Sequence, residues 1–315
     1  MIRKEEFFFE SSNKEYMIHA RKWIPANEPY KGVLQIHHGM TEYIDRYDEF
    51  ATFMANNGYL IVGHDHAGHG KSIRTEADYG YFGYGNTKHP SDVLVEDMHT
   101  LRMMIQKEYQ ELPYYMLGHS MGSYMLRKYL TIYADDTLNG AIIVGTGDEK
   151  ASGAALAVTK LLKRCKGEKY RSDFIRQLTY TKPYQEYDLT NQDISNSWLS
   201  KNEENIKEYL SKAECTFTFT LNAYQGLFEA VQYTGKEVNV AKMPKHLRLL
   251  LIAGDKDPVG NMGEGVKSVY QRFLKVGMKD VTIKLYKGDR HEIFNELDRA
   301  IVYQDVLDWL TKAEK

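Results

Sequence analysis

The strongest constraint on this chain is an alternation of short apolar runs with helical patterns, which stops at Gly147 and resumes at Leu247. Residues 7–10 and 16–23 read as a strand pair around the turn Ser11-Ser12-Asn13. Buried-type strands are then predicted over 33–37, 59–62, 114–117 and 140–144. Helices fall between them, over 43–57, 91–109 and 123–132, the first closed by Gly58. Strands of unbroken apolar character that take turns with helices imply a mostly parallel sheet covered on both faces, an α/β fold. Past Gly145-Thr146-Gly147 only helical patches remain, over 154–162, 173–178, 206–210 and 221–231. The rhythm returns with strands over 247–253 and 281–286 and helices over 266–276 and 297–311. A chain of 315 residues is long for one minimal domain and short for two. We therefore expect one core built from 1–147 and 243–315, interrupted by a helical cap over 148–242.

Within that rhythm, Gly118-His119-Ser120-Met121-Gly122 stands between a predicted strand and a predicted helix. That is the setting in which a G-x-S-x-G turn exposes a nucleophilic serine, so Ser120 is the candidate nucleophile. The glycines matter because side chains flanking such a strained turn would strike neighbouring backbone. A serine hydroxyl needs a base, and the base needs an acid to hold its tautomer. Of the histidines at or after the turn, His119 lies inside it and His246 precedes a strand, on the wrong edge of the sheet. His291, after the strand over 281–286, is left as the base. For the acid, the loop Gly254-Asp255-Lys256-Asp257-Pro258-Val259 offers two aspartates. Asp257 is preferred, with Asp255 as a turn former and Asp289 as a solvated loop charge. The tetrahedral oxyanion needs backbone donors. They are expected from the amide of Met121, at the helix start, and from that of Met40, which follows Gly39 in the loop after the strand over 33–37.

The run His64-Asp65-His66-Ala67-Gly68-His69 contains metal-ligand residue types, but its spacing reads as a hydrogen-bonded loop that buttresses the active face. No metal and no cofactor are expected. The charge balance, 41 Lys+Arg against 43 Asp+Glu, argues against a nucleic-acid partner. No apolar stretch reaches the roughly 20 residues needed to span a bilayer. Glu10 interrupts Phe7-Phe8-Phe9 before a signal-peptide core forms. Cys165 and Cys215 are too few for a disulfide framework, and a cytoplasmic location is expected.

Taken together, the blocks resemble the α/β-hydrolase superfamily, and within it the monoacylglycerol lipase and lysophospholipase group, which is serine aminopeptidase S33-like. The resemblance is carried by His38-Gly39-Met40 with Arg46-Tyr47, and by Asp65-His66-Ala67-Gly68-His69-Gly70-Lys71-Ser72. It continues through the Ser120 turn, Gly254 to Val259, and Arg290-His291-Glu292. It implies Ser120, Asp257 and His291 as a triad and a helical cap above the pocket, and it carries no acyl or alcohol preference for the cap.

The expected activity is hydrolysis of carboxylic esters of small amphiphilic, lipid-like substrates through an acyl-enzyme on Ser120. Two other readings stand beside it, an amidase or aminopeptidase with the same residues, and a hydrolase-like receptor that binds a small ligand without turnover. Between Lys150 and Lys182 nine basic residues face two acidic ones, so the cap is a candidate for contact with an anionic membrane. A solvated basic face is the simpler reading. The chain holds 24 tyrosines. Those of the cap, Tyr170, Tyr180, Tyr184, Tyr187, Tyr209, Tyr224 and Tyr233, are expected in the roof of the pocket, where apolar area with a hydroxyl suits an amphiphile.

Overall fold

The structure is a computed structural model that describes residues 1–148 and 152–312. Lys150, one of the basic residues of the cap, lies outside the described residues. The strand pair at the start is β1 (Arg3–Glu10) and β2 (Met17–Ile24), followed by β3 (Gly32–His37), α1 (Asp48–Asn56) and β4 (Tyr59–His64). Next come α2 (Pro90–Glu108), β5 (Tyr114–His119), α3 (Met121–Leu130) and β6 (Gly140–Val144). The following stretch is helical: α4 (Ser152–Lys166), α5 (Asp173–Thr179), α6 (Glu203–Ser211), α7 (Ala213–Thr216), α8 (Leu221–Gly235) and α9 (Glu237–Val240). The chain closes with β7 (Arg248–Gly254), α10 (Glu264–Lys275), β8 (Val281–Tyr286) and α11 (Arg299–Thr311).

All eight strands form one sheet in the order β1-β2-β4-β3-β5-β6-β7-β8. The β1–β2 and β2–β4 pairs are antiparallel and the rest are parallel. β6 and β7 are direct neighbours, with Ile142 opposite Leu250, so everything from α4 to α9 is an excursion from a single sheet. Alternate strand residues enter two separate cores, as a period of two requires. Val33, Met116, Ala141, Ile143 and Leu251 pack with residues of α2, α3, α8 and α10. Leu34, Ile36, Leu117, Ile142 and Ile252 pack with residues of α1 and α11 on the other side. Each such buried aliphatic side chain contributes roughly 1.5–3 kcal/mol, which is why both faces of the inner strands are apolar. This is the α/β architecture read from the pattern.

Two boundaries differ in an informative way. The helix expected over 43–57 is a 3-10 turn at Ile44–Tyr47 followed by α1. The Ile44 amide there donates to the Asp65 carboxylate at 2.8 Å, which ties the first turn to the end of β4. β4 and β5 each run two residues beyond the predicted strands, because pairing continues through His37 opposite His64 and Gly118. Those polar residues are buried in the sheet, where hydropathy alone does not place them. Among the described residues no helix is long and apolar enough to cross a membrane.

Candidate active site

The carboxyl ends of β3, β5, β6 and β7 and the loop after β8 converge on one cavity of ≈ 300 Å³, lined by Met40, Ser120, Met121 and His291 among others. Ser120 sits between β5 and α3 with φ 51° and ψ −118°, a left-handed conformation rare for a residue with a side chain. The two flanking glycines are sterically required. A Cβ on Gly118 would overlap the carbonyl oxygen of Gly122, and a Cβ on Gly122 would overlap that of His37. The turn is held by the Ser120 amide donating to Val144 O at 2.9 Å and by Ser123 Oγ donating to Ser120 O at 2.6 Å.

His291 is buried with its Nδ1 3.0 Å from Oδ2 of Asp257, itself fully buried. The second Asp257 oxygen, Oδ1, accepts the Val259 amide at 2.9 Å, so the carboxylate is oriented from within its own loop. Asp255 points elsewhere. It accepts the Gly288 amide at 2.7 Å and so joins the loops after β7 and β8. The His291 backbone is gripped by the excursion, with Glu292 N–H donating to Leu199 O at 2.8 Å, and the Trp198 ring lies 5.2 Å from the imidazole. His246 is exposed, 3.3 Å from Asp136. His119 also lines the cavity, its ring centroid 4.7 Å from that of His291 and its Nδ1 turned to Glu42. Met121 is the first residue of α3, and Met40 follows Gly39, where a Cβ would come 3.0 Å from the Ser120 Cβ.

Three expectations are corrected. Asp289 is not a solvated charge. It is buried, with Oδ1 2.6 Å from the Lys201 ammonium, and burial pushes its carboxyl up to about 6 although the lysine opposes this. The histidine run is hydrogen-bonded only in part. Asp65 accepts from the amides of Ile44 and Lys71 and pairs with His19 Nδ1, but the rings of His37, His64 and His66 have no hydrogen-bond partner among the described residues; His37 and His66 stack, and His64 meets both edge-on. Burial drives all three towards the neutral form. No group of three or more His, Cys, Asp or Glu side chains among the described residues is placed to hold a metal ion. Of the seven tyrosines expected in the roof of the pocket, only Tyr180, Tyr184, Tyr209 and Tyr224 line the cavity. Tyr170 faces solvent, Tyr187 donates to Lys256 O at 2.6 Å, and Tyr233 packs beside the Lys128 and Lys242 ammonium groups.

A cluster that motif spacing did not bring forward lies against the same cavity. Glu42 and Glu292 are both buried there. Glu292 is bridged in bidentate fashion by Arg46, at 2.6 and 2.7 Å, and also accepts Asn205 Nδ2 at 2.7 Å. Glu42 meets His119 Nδ1 at 2.8 Å, Tyr47 Oη at 3.1 Å and Arg46 at 3.3 Å. Burial would raise both carboxyls. His119 and Arg46 hold Glu42, and Arg46 holds Glu292, below the ordinary range at about 2. Arg46 and Glu292 are 246 positions apart, a separation at which no sequence period operates.

Residues 28–298 match the family described as "Serine aminopeptidase, S33". The chain belongs to that hydrolase family. Among its relatives, a monoacylglycerol lipase of Mycolicibacterium smegmatis is 26% identical over 91% of this chain and 90% of its own length. A monoglyceride lipase of Mus musculus is 26% identical over 92% of this chain and 86% of its own. A thermostable carboxyl esterase from Bacillus coagulans, solved with glycerol, superposes with a TM-score of 0.89 at 29% identity over 99% of each chain. The Saccharomyces cerevisiae monoglyceride lipase, at 18% identity and a TM-score of 0.75 over 99% of this chain and 97% of its own, shares the fold. The S33 chain therefore has the α/β-hydrolase fold.

Proposed function

We propose that the protein is a serine esterase acting on carboxylic esters of lipid-like alcohols, of monoacylglycerol or lysophospholipid type. The observation that carries the reading is Ser120, held at positive φ in the cavity that also receives His291, whose Nδ1 is paired with buried Asp257. In this mechanism Asp257 keeps the His291 proton on Nδ1, leaving Nε2 free as a base. Ser120 Oγ gives its proton to Nε2 as it bonds to the ester carbon, and the carbonyl electron pair moves to oxygen, where the Met40 and Met121 amides receive it. Collapse breaks the ester C–O bond, Nε2–H protonates the departing alcohol, and water repeats the sequence to release the acid.

The substrate class is supported by the mixed character of the cavity and by the relatives. Residues 148–242 act in this reading as a cap. Its helix α8 lends Leu227, Phe228 and Val231, while Thr41, Tyr209 and Thr216 supply hydroxyls. An acyl chain beside a hydroxylated head group fits such a lining. An aminopeptidase would need an unpaired carboxylate for the substrate ammonium, whereas Glu42 and Glu292, the acidic groups on the cavity, are committed to His119 and Arg46. The test compares p-nitrophenyl esters of graded chain length, monoacylglycerol and lysophospholipid with aminoacyl anilides, for the native protein and Ser120→Ala. Ester turnover and fluorophosphonate labelling that both vanish in Ser120→Ala are expected. Full esterase activity in Ser120→Ala, or turnover of the anilides alone, would sink the proposal.

Contact with an anionic membrane is part of this reading, and exposed apolar side chains support it more than charge does. Several cap cations are already engaged: Lys160 with Glu229, Lys169 with Asp78, Arg176 with Asp173. Leu161 and Phe174, by contrast, are 62% and 56% exposed, and Tyr170 and Leu178 are exposed as well.

A further inference from the structure

The buried cluster behind Ser120 has the form of a continuous hydrogen-bonded chain. The Gly39 amide donates to Glu42 Oε1. The same oxygen lies 2.8 Å from His119 Nδ1, and His119 Nε2 lies 3.3 Å from the backbone oxygen of His291. We propose that Glu42 and His119 are positioning residues that hold the Met40 amide and the His291 loop in register on either side of Ser120. This rests on Ser120 being the nucleophile.

Three observations carry the proposal. First, both nitrogens of His119 face acceptors, a carboxylate on one side and a carbonyl on the other. A neutral imidazole has a single N–H, so satisfying both requires the doubly protonated ring. The Glu42 carboxylate stabilises that cation, against the opposing effect of burial. With Arg46 and Glu292, the cluster then has two cations facing two anions, the arrangement in which buried charges are tolerated.

Second, the Gly39–Met40 peptide is gripped on both sides of Gly39. His38 Nε2 accepts the His66 amide at 2.9 Å, which leaves the ring proton on Nδ1, and Nδ1 lies 2.8 Å from Gly39 O. In a planar trans peptide the Met40 N–H points opposite to the Gly39 carbonyl, so fixing that oxygen fixes the direction of the Met40 amide. Glu42 meanwhile fixes the Gly39 amide. A Cβ on residue 39 would come 2.5 Å from Glu42 Oε1, which gives a physical reason for glycine there.

Third, His119 is the chain neighbour of Ser120. The oxyanion loop, the nucleophile turn and the histidine loop thus meet through one side-chain pair, while neither Glu42 nor His119 takes part in the bond changes. Loss of the pair should misalign donors for the transition state more than it weakens ground-state binding.

The experiment measures kcat and KM on a soluble p-nitrophenyl ester, and Ki for a trifluoromethyl ketone. Ser120 Oγ adds to the ketone carbon, His291 takes the proton, and the negative charge on oxygen mimics the oxyanion. Glu42→Leu, which removes the acceptor, is expected to lower kcat by ~10²-fold, the scale of one misplaced oxyanion donor, with KM within about threefold and Ki raised in parallel. Glu42→Gln keeps an acceptor oxygen for the Gly39 amide and should recover about tenfold of that loss. Should Glu42→Leu fail to fold, Glu42→Gln and His119→Gln decide the question, both with lowered kcat, near-native KM and weakened ketone binding. Native kcat and Ki in Glu42→Gln and His119→Gln, or a lowered melting temperature with unchanged Ki, would overturn the positioning role. An active Ser120→Ala would instead remove the reading on which it stands.

Discussion

Asp257 and Asp255 stand two positions apart and do different work, because one carboxylate meets an imidazole and the other an amide. In the proposed mechanism Asp257→Asn would present the wrong hydrogen-bonding group to His291 Nδ1. A loss in kcat of ~10⁴-fold with little change in KM is expected, measured on p-nitrophenyl esters. Asp255→Asn keeps an acceptor for Gly288 and should remain within about tenfold, costing mainly the ~1 kcal/mol of a weakened loop bond, read as a lower melting temperature. Equal losses in both variants would contradict the assignment. At this scale chain order and strand ends singled out Ser120, Asp257 and His291, the residues the proposed mechanism uses. The burial of Asp289 was not readable in this way, since its ammonium partner, half-buried Lys201, arrives from 88 positions away.

At the scale of elements, the strands and the helices that cover them were legible from period alone, whereas the stretch between β6 and β7 yielded helices without their arrangement. α8 packs on α2 and α3 as well as on α4, which ties the helical excursion to the helices that cover the sheet. α4 and α5 carry Leu161 and Phe174 to the outside. If these side chains enter a membrane surface, the native protein should sediment with anionic liposomes at moderate salt. Leu161→Asp with Phe174→Asp should leave it in the supernatant while hydrolysis of a soluble ester stays native. Each buried methylene contributes about 0.8 kcal/mol, so two such side chains suffice for a measurable shift. Native protein that stays entirely in the supernatant would end the membrane reading. The basic excess was visible in the sequence, but its partial neutralisation by Glu229 and Asp78 was not, because those carboxylates come from other helices and loops.

For the whole molecule, the buried imidazoles set a pH dependence. Burial lowers His37 to about 3 and His69 to about 4, and also lowers His38, His64 and His66. Below pH 6.5 the unfolded chain binds protons that the folded one refuses, so stability falls as pH drops from 6.5 towards 3, by up to ~1.4 kcal/mol per pH unit for each histidine. Glu42 and Glu292, whose folded values are depressed to about 2, add a second loss as pH falls below 4.5. His119, Asp97 and Asp289 act in the opposite sense, because their folded values are raised. Five histidines outweigh these three groups, and the melting temperature should decline between pH 7 and pH 5. A flat profile over that interval would mean that these rings are hydrated in the folded state.

The sequence by itself determined the α/β class, and it singled out the long helical stretch between two strands and the serine, acid and histidine that the proposed mechanism uses. Each follows from local rules: a period of two or 3.6, glycine at a strained turn, and loops that emerge at strand ends. Only the tertiary structure decided what surrounds those residues: the Glu42–His119 link, the Arg46–Glu292 bridge, the depth of Asp289 and which tyrosines face the cavity. Burial and charge pairing are properties of groups brought together from distant parts of the chain. Their energies depend on distance and desolvation, which the order of residues does not contain.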